Sequence, residues 1–268
     1  MVQRPLGNHR HGPDTLLVTQ DTAHTGRVAD ETVTQGTEQL REAIDRARYV
    51  LFDFDGPICR LFAGHKAERV AADLVDWLAG QGLRGLLGET ERASLDPHVV
   101  LRAVDRGHPG SDLVAELEER LTQEESRAAA SARPTAWADP LIRTWSAVGA
   151  RLAVTTNNSP RVVREYLEGR GLTDCFAPHV YGRTRELRLL KPDPHCLIRA
   201  LNAMGAAPSA ALMIGDTPSD LLAARKAGVP FLGYARNDRK RQVLSEAGAD
   251  LVVDSLEGVL RLVGTMNR

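Results

Sequence analysis

The stretch VLFDFDGPICR, residues 50–60, decides how the rest of the chain is interpreted. An apolar run, Tyr49–Phe52, predicts a buried strand, and Asp53 and Asp55 follow it directly before a Gly-Pro turn. Two carboxylates this close repel each other unless a cation or a proton lies between them. We therefore expect either a turn capped by the pair or a site that binds something positive.

The composition bounds the size and the class of the protein. The chain has 268 residues, of which 43% are hydrophobic and 26% are charged, and its net charge is −1. This length allows one large core, or a core with a smaller second domain. The balanced charge gives no electrostatic reason to expect nucleic acid or a membrane surface as a partner.

The N-terminal sequence and the cysteines indicate the compartment. Residues 1–13 lack the apolar segment of a signal peptide, and no apolar run approaches the roughly 18 residues that a membrane-spanning helix needs. The three cysteines, Cys59, Cys175 and Cys196, form no CxxC pair, which is typical of reduced thiols. We therefore expect a cytoplasmic protein, either a monomer or a homodimer.

Alternating strand and helix signals predict the fold class. Residues 1–38 are polar and lack Phe, Trp and Tyr, which predicts a flexible N-terminal tail. Beyond them, unbroken apolar runs alternate with periodic helical segments, a pattern typical of an α/β fold with a doubly wound, mainly parallel, Rossmann-like sheet. After Tyr49–Phe52 the predicted strands are Arg151–Thr155, Ala211–Ile214, Pro230–Tyr234 and Leu251–Val253. The predicted helices between them are Pro160–Glu168, Pro194–Met204, Pro218–Ala227 and Arg239–Ala247.

Residues 63–139 interrupt this alternation. Their apolar residues recur at helical spacing, and no convincing strand lies among them. The stripes are Val70, Leu74, Trp77 and Leu78, then Val99, Leu101 and Val104, then Leu113, Leu117 and Leu121. We predict that residues 39–62 and 140–268 form the core, and that residues 63–139 form an all-helical cap domain inserted into it.

Further polar side chains lie after the predicted core strands, where open parallel sheets bind ligands. Thr156 and Asn157 follow one strand, Asp216 and Asp220 follow another, and Lys191 lies in the loop LLKPDP. Ser-Pro, Asp-Pro and Thr-Pro pairs open three of the predicted helices. We expect the three helix N-termini to face the same edge of the sheet, where their N–H groups favour an anion.

This set of side chains fits phosphoryl transfer. Mg²⁺ prefers carboxylate oxygens, which Asp53 and Asp216 can supply, and a carboxylate can itself take up a phosphoryl group. Lys191 and Thr156 can bind phosphate oxygens. Asp55 can protonate the leaving oxygen and then activate water. The order of these motifs along the chain is far more specific than any single motif.

With these residues, the chain resembles the haloacid dehalogenase superfamily over about residues 46–268. It is similar to the subfamily with a helical cap between the first and second motifs, which includes phosphoglycolate phosphatases and β-phosphoglucomutase-like enzymes. The resemblance implies an aspartyl-phosphate intermediate on Asp53, with Asp55 as general acid/base and Mg²⁺ as cofactor. It also implies that Thr156, Asn157 and Lys191 bind phosphate, that Asp53, Asp216 and the Asp55 carbonyl bind the metal, and that Asp220 supports the metal site.

The sequence departs from the family pattern directly after Asp55. Family members often read Asp-Gly-Thr, an apolar pair and Asp-Ser, whereas this chain reads DGPICRLF. No reacting group is lost, so we expect a phosphatase that hydrolyses a small-metabolite phosphomonoester. Arg60, His65 and Lys66 are candidates for contact with an anionic leaving group. Phosphoglycolate, sugar phosphates and nucleoside monophosphates all remain open as substrates.

Two other functions also remain open. His65 follows Asp53 by twelve residues, as a hinge His does in β-phosphoglucomutase-like enzymes, which would indicate a phosphomutase. The second alternative is a non-catalytic binding or regulatory protein on the same scaffold. The presence of Asp53, Asp55, Lys191 and Asp216 together argues against that alternative.

Overall fold

The first element of the structure, a computed structural model that describes residues 36–266, is a helix over residues 36–46 (α1). This helix buries Leu40 and Ile44 in the core. The predicted tail, residues 1–38, lies outside the described residues except for residues 36–38, which are helical. The unit that begins at Glu38 contains both the sheet and the helical insert.

A six-stranded parallel sheet forms the centre of this unit and confirms the predicted α/β class. The strands of the described chain are Tyr49–Phe52 (β1), Cys59–Arg60 (β2), Arg133–Pro134 (β3), Arg151–Thr155 (β4), Val180–Tyr181 (β5), Ala211–Gly215 (β6), Phe231–Tyr234 (β7) and Val252–Val253 (β8). Across the sheet the order is β5, β4, β1, β6, β7 and β8. The sequence prediction missed β5, an edge strand of two residues.

Helices cover the sheet and build the insert. They are Ala67–Gly80 (α2), Glu89–Arg92 (α3), Pro97–Gly107 (α4), Asp112–Ala130 (α5), Ala138–Ala147 (α6), Pro160–Gly169 (α7), Thr173–Phe176 (α8), His195–Met204 (α9), Pro218–Ala227 (α10), Asp238–Glu246 (α11) and Leu256–Gly264 (α12). Both predicted ends of α10 are confirmed, because Thr217 caps its start and Gly228 ends it at φ 70°. None of the helices within residues 36–266 is both long enough and apolar enough to cross a membrane.

Both faces of the sheet are buried, as the unbroken apolar strands predict. Val50 and Phe52 of β1 pack on one face with Trp145 of α6, while Leu51 packs on the other with Leu197 of α9. This alternation follows from the two-residue period of a strand. The three cysteines are free thiols.

Helices α2, α4 and α5 enclose a separate apolar cluster, and we propose that they form the predicted cap domain. The buried stripes are shifted slightly from the prediction, with Val100 and Val114 inside in place of Val99 and Leu113. The prediction that this region contains no strand was wrong. The chain leaves and re-enters the core through β2 and β3, which form a two-stranded antiparallel sheet, and α6 begins before the predicted cap boundary at residue 139.

Candidate active site

The register of the three central strands brings the predicted site residues together. Phe52 at the end of β1 pairs with Val154 of β4 on one side and with Ile214 of β6 on the other. The chain therefore leaves all three strands at the same level and on the same edge of the sheet. The cavity at this edge is lined by the predicted residues Asp53, Asp55, Thr156, Asn157, Lys191, Asp216 and Asp220.

Three buried carboxylates form the centre of the site. Asp53, Asp216 and Asp220 each offer an oxygen, and these oxygens lie within 4.8 Å of one another. Burial raises the pKa of Asp53, an effect that the adjacent Lys191 partly offsets. Burial likewise raises the pKa of Asp216 to about 8. Three carboxyl groups are thus buried together, an arrangement that favours a proton or a cation among them.

Lys191 is almost fully buried and holds two of these carboxylates. Its ammonium group is 2.8 Å from Asp53 Oδ1 and 2.5 Å from Asp220 Oδ1, and it donates to the Thr155 carbonyl at 2.9 Å. The two carboxylates raise the pKa of Lys191 despite its burial, so this side chain stays charged. The lysine therefore holds the Asp53 side chain in position and favours its charged form.

Asp220 contacts the loop before α10 as well as Lys191. Its Oδ2 accepts hydrogen bonds from the Asp216 N–H at 3.2 Å, the Thr217 N–H at 3.0 Å and the Thr217 hydroxyl at 2.6 Å. The Thr217 side chain in turn accepts from the Asp220 N–H, so the two residues form the capping box of α10. Asp220 thereby sets the conformation of the loop that carries Asp216, and its support of a metal site stays a prediction.

Asp55 is half-buried beside this cluster, and its Oδ1 accepts from the Leu61 N–H at 2.8 Å. Burial raises the pKa of Asp55 to about 6. Gly56 follows with φ 124°, and a Cβ atom there would lie 2.3 Å from the Asp216 Cγ atom. Glycine at position 56 is therefore required for the close approach of Asp216 to this turn.

The loop after β4 carries Thr156 and Asn157. The Asn157 side chain accepts from the Lys191 N–H at 2.7 Å and donates to the Lys191 carbonyl at 3.2 Å. Both polar atoms of the Asn157 side chain are thus bonded to the Lys191 main chain, and they join this loop to the one that carries Lys191. The side chain of Ser159 makes no capping hydrogen bond to α7, contrary to the sequence-based expectation.

Sequence reasoning missed Lys240, a second cation at the site. This residue lies in the first turn of α11, and its ammonium group forms an ion pair with Asp216 Oδ2. Strand β7 ends at the same edge of the sheet as β6. The rule that ligands bind at the carboxyl ends of parallel strands therefore also applies to the segment after β7. That segment also carries Arg236, whose positive charge acts against the burial-induced rise in the pKa of Asp55.

The three specificity candidates separate in the structure. Arg60 and Lys66 line a second cavity together with Arg236, and this cavity shares Asp55 and Phe62 with the first. Glu68 also lines it. His65 belongs to the lining of neither cavity and instead lies 2.6 Å from Glu124 of α5.

A buried ionic cluster between the insert and the core was also missed. Glu125 of α5 and Arg183, just after β5, have fully buried side chains, and their Nη1 and Oε1 atoms are 2.8 Å apart. His98 of α4 lines the cavity and lies 3.4 Å from the same oxygen. Glu125 continues the buried stripe of Leu117 and Leu121, and a charged residue in an apolar stripe was the available signal.

The cluster predicts a change of stability with pH. Burial alone would lower the pKa of His98, but Asp96 and Glu125 more than offset it and raise the value to about 9. The stabilisation is complete below pH 6.5, where folded and unfolded chains both hold the proton, and it is lost as the pH rises through 9. We expect the His98 proton to account for a loss of about 3 kcal/mol between pH 6.5 and 9.5, taken as the difference between the wild type and His98→Gln. Urea unfolding at both pH values measures it, and an equal loss in His98→Gln would contradict this assignment.

Comparison with known proteins gives one consistent family. Residues 29–228 match the family model described as haloacid dehalogenase-like hydrolase. The chain is 32% identical over 212 residues to a phosphoglycolate phosphatase from Rhodospirillum rubrum, covering 70% of this chain and 80% of that protein. It is 39% identical over 112 residues to a phosphoserine phosphatase from Thermus thermophilus, covering 41% and 43% of the two chains. Its fold is similar to that of a haloacid dehalogenase-like hydrolase from Streptococcus pneumoniae, with a TM-score of 0.58, 18% identity, and coverage of 81% and 98%.

Proposed function

The chain belongs to the haloacid dehalogenase-like hydrolases, and on this basis we propose that it is a Mg²⁺-dependent phosphatase of small phosphomonoesters. Asp53 is the proposed nucleophile, and Asp55 is the proposed general acid/base. The observation that carries the proposal is the pairing of a buried Asp53 with Lys191 at 2.8 Å, beside two further carboxylates at the ends of the central strands. The names of the phosphatase relatives support the same reaction class.

The donor set fits a divalent cation. On the core side of the cavity, four carboxyl groups share two lysines, so the site holds two more acids than cations: the groups are Asp53, Asp55, Asp216 and Asp220 against Lys191 and Lys240. Within residues 36–266, the buried Oδ1 of Asp216 has no hydrogen-bond donor. Carboxylate oxygens are the ligands that Mg²⁺ prefers. We propose Asp53, Asp216 and the main-chain carbonyl of Asp55 as the protein ligands.

The proposed hydrolysis has two steps, which involve Asp53 and Asp55. An Asp53 oxygen forms a bond to phosphorus while the bond to the leaving oxygen breaks, and Asp55 gives its proton to that oxygen. Asp55 next takes a proton from water, whose oxygen attacks phosphorus and releases inorganic phosphate and free Asp53. The Lys191 charge attracts the phosphate, and the Thr156 hydroxyl donates to a phosphate oxygen in place of Asn158 Oδ1, which accepts its proton in this structure. When bound, Mg²⁺ supplies positive charge that offsets the repulsion between Asp53 and the phosphate dianion.

The leaving group is proposed to extend toward the second cavity. Asp55 has to be near the leaving oxygen, and the cavity on its other side is lined by Arg60, Lys66 and Arg236. These cations favour a leaving group that carries an anionic substituent of its own. His65 is not proposed for this role, because its partner is Glu124. The phosphomutase alternative rested on His65, and nothing at that residue favours it over hydrolysis.

Removal of divalent cations is the first test of the proposal. We expect chelation by EDTA to lower the rate of p-nitrophenyl phosphate hydrolysis at least about 100-fold, and added Mg²⁺ to restore it. Binding should also raise the melting temperature by about 5 °C at 100-fold excess over the dissociation constant. Phosphate release and thermal unfolding measure the two effects. Unchanged hydrolysis after exhaustive chelation would contradict the metal dependence.

A panel of esters identifies the substrate class. Phosphoglycolate, phosphoserine, sugar phosphates and nucleoside monophosphates are compared by release of inorganic phosphate. We expect kcat/KM to be highest for esters with a small, anionic leaving group. Isomerisation of a hexose phosphate without phosphate release would instead indicate a mutase, and inactivity toward every ester would contradict the enzymatic proposal.

A further inference from the structure

The buried Glu125–Arg183 pair joins the helical insert to the loop that carries Thr156. Glu125 lies on α5 within the insert, whereas Arg183 follows β5 in the core. Their second contact, Arg183 Nη2 to Glu125 Oε2, is 3.1 Å, so the pair is bidentate. Arg183 also donates to Glu118 at 2.9 Å and to Thr122 at 2.8 Å, both on α5. One core arginine therefore holds three side chains of one cap helix.

The carboxylate of Glu125 also accepts two hydrogen bonds from the loop after β4. The Asn158 side-chain amide donates to Oε1 at 2.9 Å, and the Ser159 main-chain N–H donates to Oε2 at 2.9 Å. The Asn158 amide nitrogen therefore faces Glu125, and its oxygen accepts a hydrogen bond from the Thr156 hydroxyl at 3.0 Å. The Asn158 main-chain N–H donates to the same hydroxyl oxygen at 3.2 Å. Glu125 thus orients Thr156 through a single intervening side chain.

Arg183 holds the main chain of the same loop. Its Nη1 donates to the Asn157 carbonyl at 3.0 Å, and its own N–H donates to the Asn158 carbonyl at 3.0 Å. The Asn157 side chain is in turn bonded to the main chain of Lys191. The two phosphate-binding loops and the cap helix therefore share one continuous network of hydrogen bonds.

The location of Glu125 is what gives the network a functional consequence. A group that only stabilised the loop could come from the core, whereas this one comes from the insert. We propose that Glu125 and Arg183 are positioning residues that hold the Thr156 hydroxyl oxygen, and the loop that carries it, within reach of a bound phosphate only when the cap helix is seated on the core. This inference rests on the proposed function for the identity of the bound anion.

A second cap–core ion pair provides a matched control. Glu119 of α5 and Arg161 of α7 also link the insert to the core, with 3.1 Å between Oε1 and Nη2, but both are exposed. Within residues 36–266, neither side chain forms a hydrogen bond with Thr156, Asn157 or Asn158. Glu119→Gln therefore removes a cap–core contact and leaves the loop network intact.

The test compares phosphate binding with stability in Glu125→Gln. Inorganic phosphate is titrated into each protein by calorimetry in Mg²⁺ buffer, well below the melting temperature. We expect Glu125→Gln to weaken phosphate binding at least about tenfold, because a charged acceptor of two loop hydrogen bonds is lost. Glu119→Gln should bind phosphate as the wild type does. Combining Glu125→Gln with Thr156→Val should weaken binding less than the product of the two separate effects.

Further outcomes decide between positioning and structure alone. If Glu125→Gln only lowers the melting temperature and binds phosphate normally, the proposal is wrong. Should Glu125→Gln fail to fold, Asn158→Ala decides, since it breaks the link to Thr156 and keeps the buried ion pair. We expect Asn158→Ala to weaken phosphate binding as well, and unchanged binding would overturn the proposal. A wild type that binds phosphate but hydrolyses no ester contradicts the proposed function and leaves the binding comparison valid.

Discussion

Asp53→Asn is expected to lower kcat for p-nitrophenyl phosphate by at least about 10⁴-fold, because an amide cannot supply the nucleophilic oxygen. The substitution keeps the size of a residue that is 7% exposed, so the core should remain packed. Lys191 is also 2.5 Å from Asp220 Oδ1, and the substitution does not remove that partner. Steady-state phosphate release and near-ultraviolet circular dichroism measure activity and folding separately. Activity equal to that of the wild type would exclude Asp53 as the nucleophile.

Asp55→Asn is the matched control for Asp53→Asn, since it removes a neighbouring carboxylate with a different proposed role. The nitrophenolate group leaves without much help from an acid, so the first step should survive in this variant. Attack by water should slow by about 10²- to 10⁴-fold, because no base is left to activate it. Phosphate should then accumulate on Asp53 and be detectable by intact-protein mass spectrometry. Its absence in rapid-quench samples of Asp55→Asn would argue against the covalent route.

Lys191→Met is expected to have the second largest effect, on both activity and stability. The lysine is 2% exposed and neutralises Asp53 and Asp220, so its loss leaves two buried carboxylates without their cation. Breaking a buried ion pair in this way costs about 3–5 kcal/mol of folding free energy. Loss of a charged donor to the phosphate should lower kcat/KM by a further factor of about 10³.

Urea unfolding and kinetics at one temperature separate the two effects of Lys191→Met. Lys226→Met is the matched control, because this exposed lysine donates to the Pro192 carbonyl at 3.0 Å, in the loop that also carries Lys191. We expect the control to change stability by no more than about 0.5 kcal/mol. A stability of Lys191→Met equal to that of the control would mean that the carboxylates are neutralised by protonation instead.

The sequence by itself determined the parts of this protein that depend on local physics. The apolar run Tyr49–Phe52 forms β1 as predicted, and the Thr-Pro start and glycine end of α10 lie where the capping rules put them. Asp53 directly follows β1, and Asp216 lies between β6 and α10. The sequence alone therefore places both carboxylates at strand ends and groups them. Their grouping needed only the rule that parallel strands end at a common edge.

Tertiary structure alone decided which side chains complete the site. Glu125 and Arg183 are separated by 58 residues, and neither has a local sequence signal for the other. Lys240 reaches Asp216 across two adjacent strands, β6 and β7. Local patterns report backbone preferences and burial, whereas the pairing of distant charges depends on how the cap and the core pack. The sequence therefore determined the carboxylate centre, and the packing of the insert decided how its phosphate-binding loop is held.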